Sequence, residues 1–112
     1  VHLILNESNA DPDSKDINGH TPLSRAAANG NTSIVQLFLD VGGVNPDSRD
    51  INGITPLAFA AANGYQEVVQ LLVQNSGVDP DSRDRNGITP LSRAAARGQV
   101  AAVKMLLDLE DV

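Results

Sequence analysis

Cysteine is missing from this sequence, which excludes disulfides, thiolate metal sites and a cysteine nucleophile. Tryptophan is missing too, and aromatic residues make up only 3% of the chain, so the bulky side chains that wall most enzyme pockets are scarce. No apolar run approaches the ~20 residues needed to cross a bilayer. The opening Val1-His2-Leu3-Ile4-Leu5 lacks the basic segment and small-residue cleavage site of a signal peptide, and it reads as the middle of a helix. Positive charge is short as well. A net charge of −6 argues against non-specific nucleic-acid binding, which works by displacing counterions, and against docking on an anionic membrane. A small domain without disulfides suits a reducing compartment, so an intracellular, cytoplasmic location is expected.

What is present is dominated by alanine, leucine and valine within a hydrophobic share of 41%, a composition suited to thin helices stacked closely. It is also periodic. Thr-Pro-Leu occurs at Thr21-Pro22-Leu23, Thr55-Pro56-Leu57 and Thr89-Pro90-Leu91, a spacing of 34 each time. Asp16-Ile17-Asn18-Gly19, Asp50-Ile51-Asn52-Gly53 and Asp84-Arg85-Asn86-Gly87 precede it. Ala26-Ala27-Ala28-Asn29-Gly30, Ala60-Ala61-Ala62-Asn63-Gly64 and Ala94-Ala95-Ala96-Arg97-Gly98 follow it. An aliphatic stretch comes next, then Asn45-Pro46-Asp47-Ser48-Arg49 or Asp79-Pro80-Asp81-Ser82-Arg83, and the same register lays Val1 to Lys15 onto Val69 to Arg83.

Each part of the unit has a physical reading. Asn-Gly tolerates positive φ, so Asn18-Gly19, Asn52-Gly53 and Asn86-Gly87 predict tight turns at hairpin tips. Thr-Pro predicts a helix start: the hydroxyl caps a free N–H, and proline at the first helical position gives up a donor already orphaned. The short alanine-rich helix should end at Gly30, Gly64 or Gly98 in a left-handed cap. A second helix carries apolar residues at helical spacing, among them Val35, Leu37 and Phe38, then Val68, Val69, Leu71 and Leu72. Pro-Asp-Ser then stops it. One such unit cannot bury its apolar face alone, but stacked neighbours can, and the alanines let them approach; they are read as core, not as a site.

Asp-x-x-Gly-x-Thr-Pro-Leu, then Ala-Ala, Gly and a Val-Val-x-Leu-Leu helix, resembles the ankyrin repeat over the whole chain. The Pro-Asp-Ser-Arg loop and Thr-Pro-Leu-Ser-Arg look like the long ankyrin arrays of filamentous fungal proteins. The resemblance implies an all-α repeat solenoid of helix-turn-helix units joined by β-hairpin loops. One domain over 1–112 is expected, with a partial unit at 1–15, units at 16–49 and 50–83 and a terminal unit at 84–112, together a fragment of a longer array. Departures occur where the family often has histidine: Ser24, Ala58 and Ser92 follow Thr-Pro-Leu, and Asn31, Tyr65 and Gln99 follow the mid-repeat glycine. Arg25, Phe59 and Arg93 replace the usual leucine.

In this family ligands are gripped by hairpin tips and the exposed side of the short helices. Carried over position by position, that implies Ile17, Asn18, His20, Ile51, Asn52, Ile54, Arg85, Asn86 and Ile88 at the tips, and Asn29, Asn63 and Arg97 with Ala28, Ala62 and Ala96 on the short helices. A row of isoleucines at turn tips is a candidate contact patch, and the competing reading is that they pack on one another to hold the hairpins together. Charge runs unevenly: −2 over 1–15, −1 over 16–49, −3 over 50–83 and 0 over 84–112. Arg85, Arg93 and Arg97 cluster in the last unit and suit an acidic or phosphorylated segment, unless local ion pairs engage them.

Other chemistry finds little material. Asp79, Asp81, Asp84 and Asn86, echoed by Asp11, Asp13, Asp16 and Asn18, form oxygen-rich runs, but their spacing is not that of a calcium loop and Lys15, Arg49 or Arg83 interrupts each. Caps on turn amides explain them better. His2 and His20 have no repeated partner, and no phosphate loop, metal helix or nucleophile elbow is present. The expectation is therefore no enzyme, no cofactor and no metal, but a module for another protein or peptide, with neither nucleic acid nor membrane as ligand. The alternative is a structural spacer or self-associating segment: Met105, Leu106 and Leu109 are expected to present an uncovered apolar face at one end, and Leu3 and Ile4 at the other, allowing end-to-end association.

Overall fold

The computed structural model describes residues 12–110. Six helices alternate short and long: α1 Pro22–Ala28, α2 Thr32–Val41, α3 Pro56–Asn63, α4 Gln66–Val73, α5 Pro90–Ala96 and α6 Val100–Glu110. The short helices lie side by side as one layer (α1 on α3, α3 on α5) and the long ones as the other (α2 on α4, α4 on α6). The stack measures 43 × 25 × 22 Å, an all-α solenoid. His2, Leu3, Ile4 and most of the expected partial unit lie outside the described residues.

Local chemistry sets the short helices. Thr21, Thr55 and Thr89 each accept the N–H of the residue three further on, at 3.1–3.2 Å, and a proline follows each as the first helical residue. Ser24 completes a capping box by accepting the Thr21 N–H at 2.9 Å. The predicted left-handed glycines are present, with φ 70°, 74° and 71° at Gly30, Gly64 and Gly98.

Packing follows the repeat. Leu23, Leu57, Val35, Val68, Val69 and Leu72 are fully buried between the two layers, each worth about 1.5–3 kcal/mol as apolar surface removed from water. Ala26, Ala27, Ala60 and Ala61 are buried where short helices meet, and their small volume permits that approach. Ala94 is buried as well, but Ala95 and Ala96 are exposed, because no described residue stacks on that side of α5.

Two expectations need adjusting. The connecting loops double back as tight turns with no strand among the described residues. Each turn is centred one residue earlier than Asn-Gly implies: Asp16, Asp50 and Asp84 accept the N–H of Gly19, Gly53 and Gly87 at 2.9 Å, putting Ile17-Asn18, Ile51-Asn52 and Arg85-Asn86 at the centre. The glycine is the closing residue, with φ near +78°. At the far end Leu106 is 3% exposed and belongs to the core, Met105 is half-buried, and Leu107 and Leu109 are the exposed leucines. The helical phase explains this: Ala102 and Leu106 share the inward face one turn apart, and Leu107 is rotated off it.

Successive units are tied by hydrogen bonds that recur with the repeat. Ile51 N–H donates to Asn18 O and Arg85 N–H to Asn52 O, both at 3.0 Å. Asn45 and Asp79 N–H donate to the carboxylates of Asp13 and Asp47 at 3.0 and 3.1 Å. Lys15 Nζ reaches Arg49 O at 3.1 Å, and Arg49 Nη1 reaches Arg83 O at 2.7 Å. Two of the bases that interrupt the acidic runs, Lys15 and Arg49, therefore serve as struts between neighbours, while Arg83 Nη1 donates to Gly87 O in the adjoining turn at 3.3 Å.

Gly53 and Gly87 give a direct test of this stacking. Both have φ near +78°, but a Cβ on Gly53 would lie 3.0 Å from Arg85 N, whereas one on Gly87 would meet nothing within 4 Å. Gly87→Ala is expected to cost about 1–2 kcal/mol for its left-handed backbone. Gly53→Ala should cost at least ~1 kcal/mol more, because the next unit must shift. Urea unfolding of the two variants decides it, and equal losses would remove close approach as a constraint.

Candidate functional site

One carboxylate organises each turn tip. Asp16 Oδ1 accepts the N–H groups of Asn18 and His20, both at 2.9 Å. Asp50 does the same for Asn52 and Ile54 at 2.8 and 2.9 Å, and Asp84 for Asn86 and Ile88 at 2.8 and 2.9 Å. Each aspartate N–H also donates across the base of the turn to the carbonyl of residue 20, 54 or 88. The backbone is thus pinned from inside, and the two central side chains of each tip are left to solvent.

The second carboxylate oxygen has a different partner in each unit. Asp16 Oδ2 accepts from Arg25 Nε at 3.1 Å and Nη2 at 2.5 Å. Asp84 Oδ2 accepts from Arg93 Nη2 at 2.5 Å. In the middle unit Phe59 stands at the arginine position, and the partner comes from the unit before: His20 Nε2 lies 3.2 Å from Asp50 Oδ2, in hydrogen-bond contact. The His20 ring meets that same Phe59 edge-on, with centroids 5.5 Å apart at 88°. His20 also approaches Asp16, with Nδ1 at 3.8 Å from Oδ2.

These contacts shape the acid strengths. The His20 amide and then the Arg25 guanidinium hold the Asp16 carboxyl down at about 2. The Ile88 amide, with help from Arg93, holds Asp84 below the usual carboxylate range against some burial. Asp47, in the loop that receives the Asp79 N–H, is pushed up by burial.

The implied site residues separate into two groups. Ile17 is 92% exposed and Ile51 50%, with Asn18, Asn52, Arg85 and Asn86 exposed beside them, so the tips form a continuous accessible edge. Ile88 is 36% exposed, whereas Ile54 and His20, one and two repeats back at the same position, are half-buried against the following unit. On the short helices Asn29, Asn63 and Arg97 are exposed. Asn63 is also a strut: its Nδ2 donates to Ala28 O at 3.1 Å, as Gln99 Nε2 does to Ala62 O at 3.1 Å. Of the arginine cluster, Arg93 is taken up by Asp84, with its Nε buried and without a partner, while Arg85 and Arg97 make no side-chain ion pair or hydrogen bond among the described residues.

Sequence reasoning missed the inter-unit pairing of His20, Asp50 and Phe59. The signal was available in register: Phe59 replaces arginine in the unit that follows the one carrying His20. Two recesses on this face were also missed. One is lined by His20, Ser24, Arg25, Ala28, Asn29 and Phe59, the other by Ile88, Ser92, Arg93, Ala96 and Arg97. For a metal there is less: no three His, Cys, Asp or Glu side chains among the described residues stand together closely enough to hold an ion. No helix among those residues is long and apolar enough to cross a membrane. A family model described as ankyrin repeats (3 copies) matches residues 1–84 and 42–112. No curated protein matches the sequence.

The lowered pKa of Asp16 has a consequence in acid. In the unfolded chain the group protonates near ~3.9, and in the folded chain at about 2. Its stabilising contribution is therefore complete above pH ~4 and is lost as pH falls toward 2. Asp84 acts in the same direction. Urea midpoints should fall between pH 5 and pH 2.5, and Asp16→Asn should start lower at pH 5 and fall less. A variant curve parallel to the parent's would show that Asp16 plays no part in acid unfolding.

Proposed function

Because the chain belongs to the ankyrin-repeat family, whose members generally act as protein–protein interaction modules, we propose that it grips another protein or a peptide along its turn tips and the neighbouring face of its short helices. The observation that carries this reading is the exposed edge formed by Ile17-Asn18, Ile51-Asn52 and Arg85-Asn86 at the three turn centres, with Ile88 beside the last. Ile17 is 92% exposed, so packing among the described residues does not account for it. Apolar side chains raised in a row on clamped turns suit contact with a partner, and adjacent asparagines can satisfy that partner's polar groups. Rigid presentation matters too, since side chains already fixed in place lose little entropy on binding.

The unit boundaries at 16–49, 50–83 and 84–112 belong to this proposal, as does action in the cytoplasm. Family members are typically scaffolds rather than enzymes, and the same reading assigns this chain no catalytic role. The working surface is Ile17, Asn18, His20, Asn29, Ile51, Asn52, Ile54, Asn63, Arg85, Asn86, Ile88, Arg93 and Arg97. Ile54, His20 and Arg93 contribute mainly by shaping the floor.

Capture from cell lysate by the parent chain and by Ile17→Glu/Ile51→Glu tests the reading. Both positions are exposed, so the thermal midpoint should move by less than about 0.5 kcal/mol in stability terms. A protein retained by the parent and lost, by at least tenfold, from the folded double variant supports the turn-tip face. Equal capture by both excludes that face.

A further inference from the structure

Three residues share the repeat position just after the mid-repeat glycine, and two of them do structural work. Asn31 Oδ1 accepts the Ile34 N–H at 3.4 Å as the cap of α2, and Gln99 Nε2 donates to Ala62 O at 3.1 Å as a tie to the unit before. Tyr65, the chain's one tyrosine, does neither, and α4 starts without a side-chain cap. In its unit the tie comes from Asn63, whose Nδ2 reaches Ala28 O, the carbonyl one repeat before that of Ala62. Moving the tie two residues back releases the tyrosine. Its ring lies on Gly30 of the unit before, where a Cβ would come within 2.8 Å of ring carbons Cδ1 and Cε1. The residue is 37% exposed, and its hydroxyl has no partner among the described residues.

A recess of ≈ 340 Å³ opens beside that ring, lined by Gly30, Thr32, Gly64, Tyr65, Gln66 and Glu67. Its two sides come from the adjacent units 16–49 and 50–83, and Gln99 of the third unit lies over Gly64 behind it. It sits where the short helices end, whereas the turn tips stand where they begin. A second recess of ≈ 380 Å³ shares Thr32, Gln66 and Glu67 and continues along α4 past Gln70 to Leu71, with Met105 across it. The two form one groove, polar and aromatic at the start of α4 and apolar one helical turn further on.

Charge selects the guest. Glu67 is exposed and makes no ion pair among the described residues, and its unit, 50–83, carries a net charge of −3. The start of α4 contributes about half a positive charge, which the full negative charge of Glu67 outweighs. A fixed aromatic ring beside a carboxylate suits a guanidinium, which stacks on the one and forks to the other. Glu67 and Leu71 are one turn apart, ~6 Å along the helix axis. In an extended segment, side chains two residues apart share a face and stand ~7 Å from each other. We propose that this groove binds an extended segment of a partner protein that carries an arginine and, two residues on, a leucine, with the arginine between Tyr65 and Glu67 and the leucine on Leu71. The site is separate from the turn-tip face and does not depend on that reading.

The test uses the capped tetrapeptide Ala-Arg-Ala-Leu, titrated into the isotope-labelled chain while backbone amide resonances are followed. Saturable shifts are expected at Thr32, Tyr65, Glu67 and Leu71, with a dissociation constant on the order of 1 mM. The peptide Ala-Glu-Ala-Leu should leave these resonances in place, and Ala-Arg-Ala-Ala should bind about threefold more weakly or worse. On the protein side Tyr65→Gln, the residue the next unit carries at this position, should weaken the arginine peptide by about threefold or more while the chain stays folded. Glu67→Lys should reverse the preference, so that Ala-Glu-Ala-Leu binds better than Ala-Arg-Ala-Leu, a result that loss of folding cannot produce. The Ile17→Glu/Ile51→Glu chain should bind the arginine peptide as the parent does. Equal binding of the arginine and glutamate peptides, unchanged affinity in Tyr65→Gln, or shifts confined to the turn tips would overturn the assignment. So would the absence of any shift at ~10 mM peptide, a concentration at which a site of this strength is mostly filled.

Discussion

The architecture hangs on the approach of one unit's turn to the next, close enough for the amide of Ile51 to reach Asn18 O and that of Arg85 to reach Asn52 O, both at 3.0 Å. A backbone bond of this kind allows little slack in distance or angle. It requires a glycine at the turn's closing position, since a Cβ on Gly53 would lie 3.0 Å from the Arg85 nitrogen. It also requires thin helices behind the turns, which is why Ala60 and Ala61 are fully buried where a leucine would force the layers apart. The other ties, from Asn63, Gln99, Arg49 and Asp47, reach the same neighbour at other heights. Each is a modest contribution of roughly 0.5–1.5 kcal/mol, but together they fix one stacking register.

That register separates two kinds of position. Residues facing a neighbour are constrained by it, and they recur almost unchanged: Thr-Pro-Leu, the alanines, the aspartate of each tip. Residues nearer the rim are less constrained, and the same repeat position carries His20, Ile54 or Ile88, and Arg25, Phe59 or Arg93. The aspartate belongs to both kinds at once. One of its oxygens holds the turn amides in every unit, while the other takes whichever polar side chain the sequence supplies, Arg25, His20 or Arg93. A binding surface can therefore change its charge and shape without losing the turn beneath it.

Much of the fold was legible because the repeat multiplies each weak signal. A single Thr-Pro or Ala-Ala-Ala would predict little, but three in the same register predict capped helices, and Thr21, Thr55 and Thr89 are those caps. Turn placement was less legible: Asn-Gly suggested a tip one residue further on, because the aspartate's grip on the amides two and four residues ahead is a side-chain effect that dipeptide rules do not carry. The terminal face was misassigned at Leu106 for a related reason. Periodicity identifies an apolar helix, but which of three adjacent apolar residues faces inward depends on the phase set by Ala102 one turn earlier. Of the site, the exposed tips were readable from position alone. The pairing of His20 with Asp50 and Phe59 was not, since it joins residues of different units that no local pattern connects.

The variation at one repeat position also explains why the face is not uniform along its length. Where Phe59 stands, the recess of the unit before it gains a wall, and the aspartate of the Phe59 unit takes its side-chain partner, His20, from that preceding unit instead of from its own short helix. Where arginine stands, the aspartate is served within the unit and no ring projects backwards. A single substitution thus changes both the depth of one recess and the charge balance of the next tip. With only about 7 to 8 residues per short helix, there is little room to compensate elsewhere on the same helix, so the shape and charge of each unit's face follow from its own residue and that of its successor. Specificity on such a surface is a property of adjacent pairs, which is how a few side-chain types at fixed positions can generate many distinct faces.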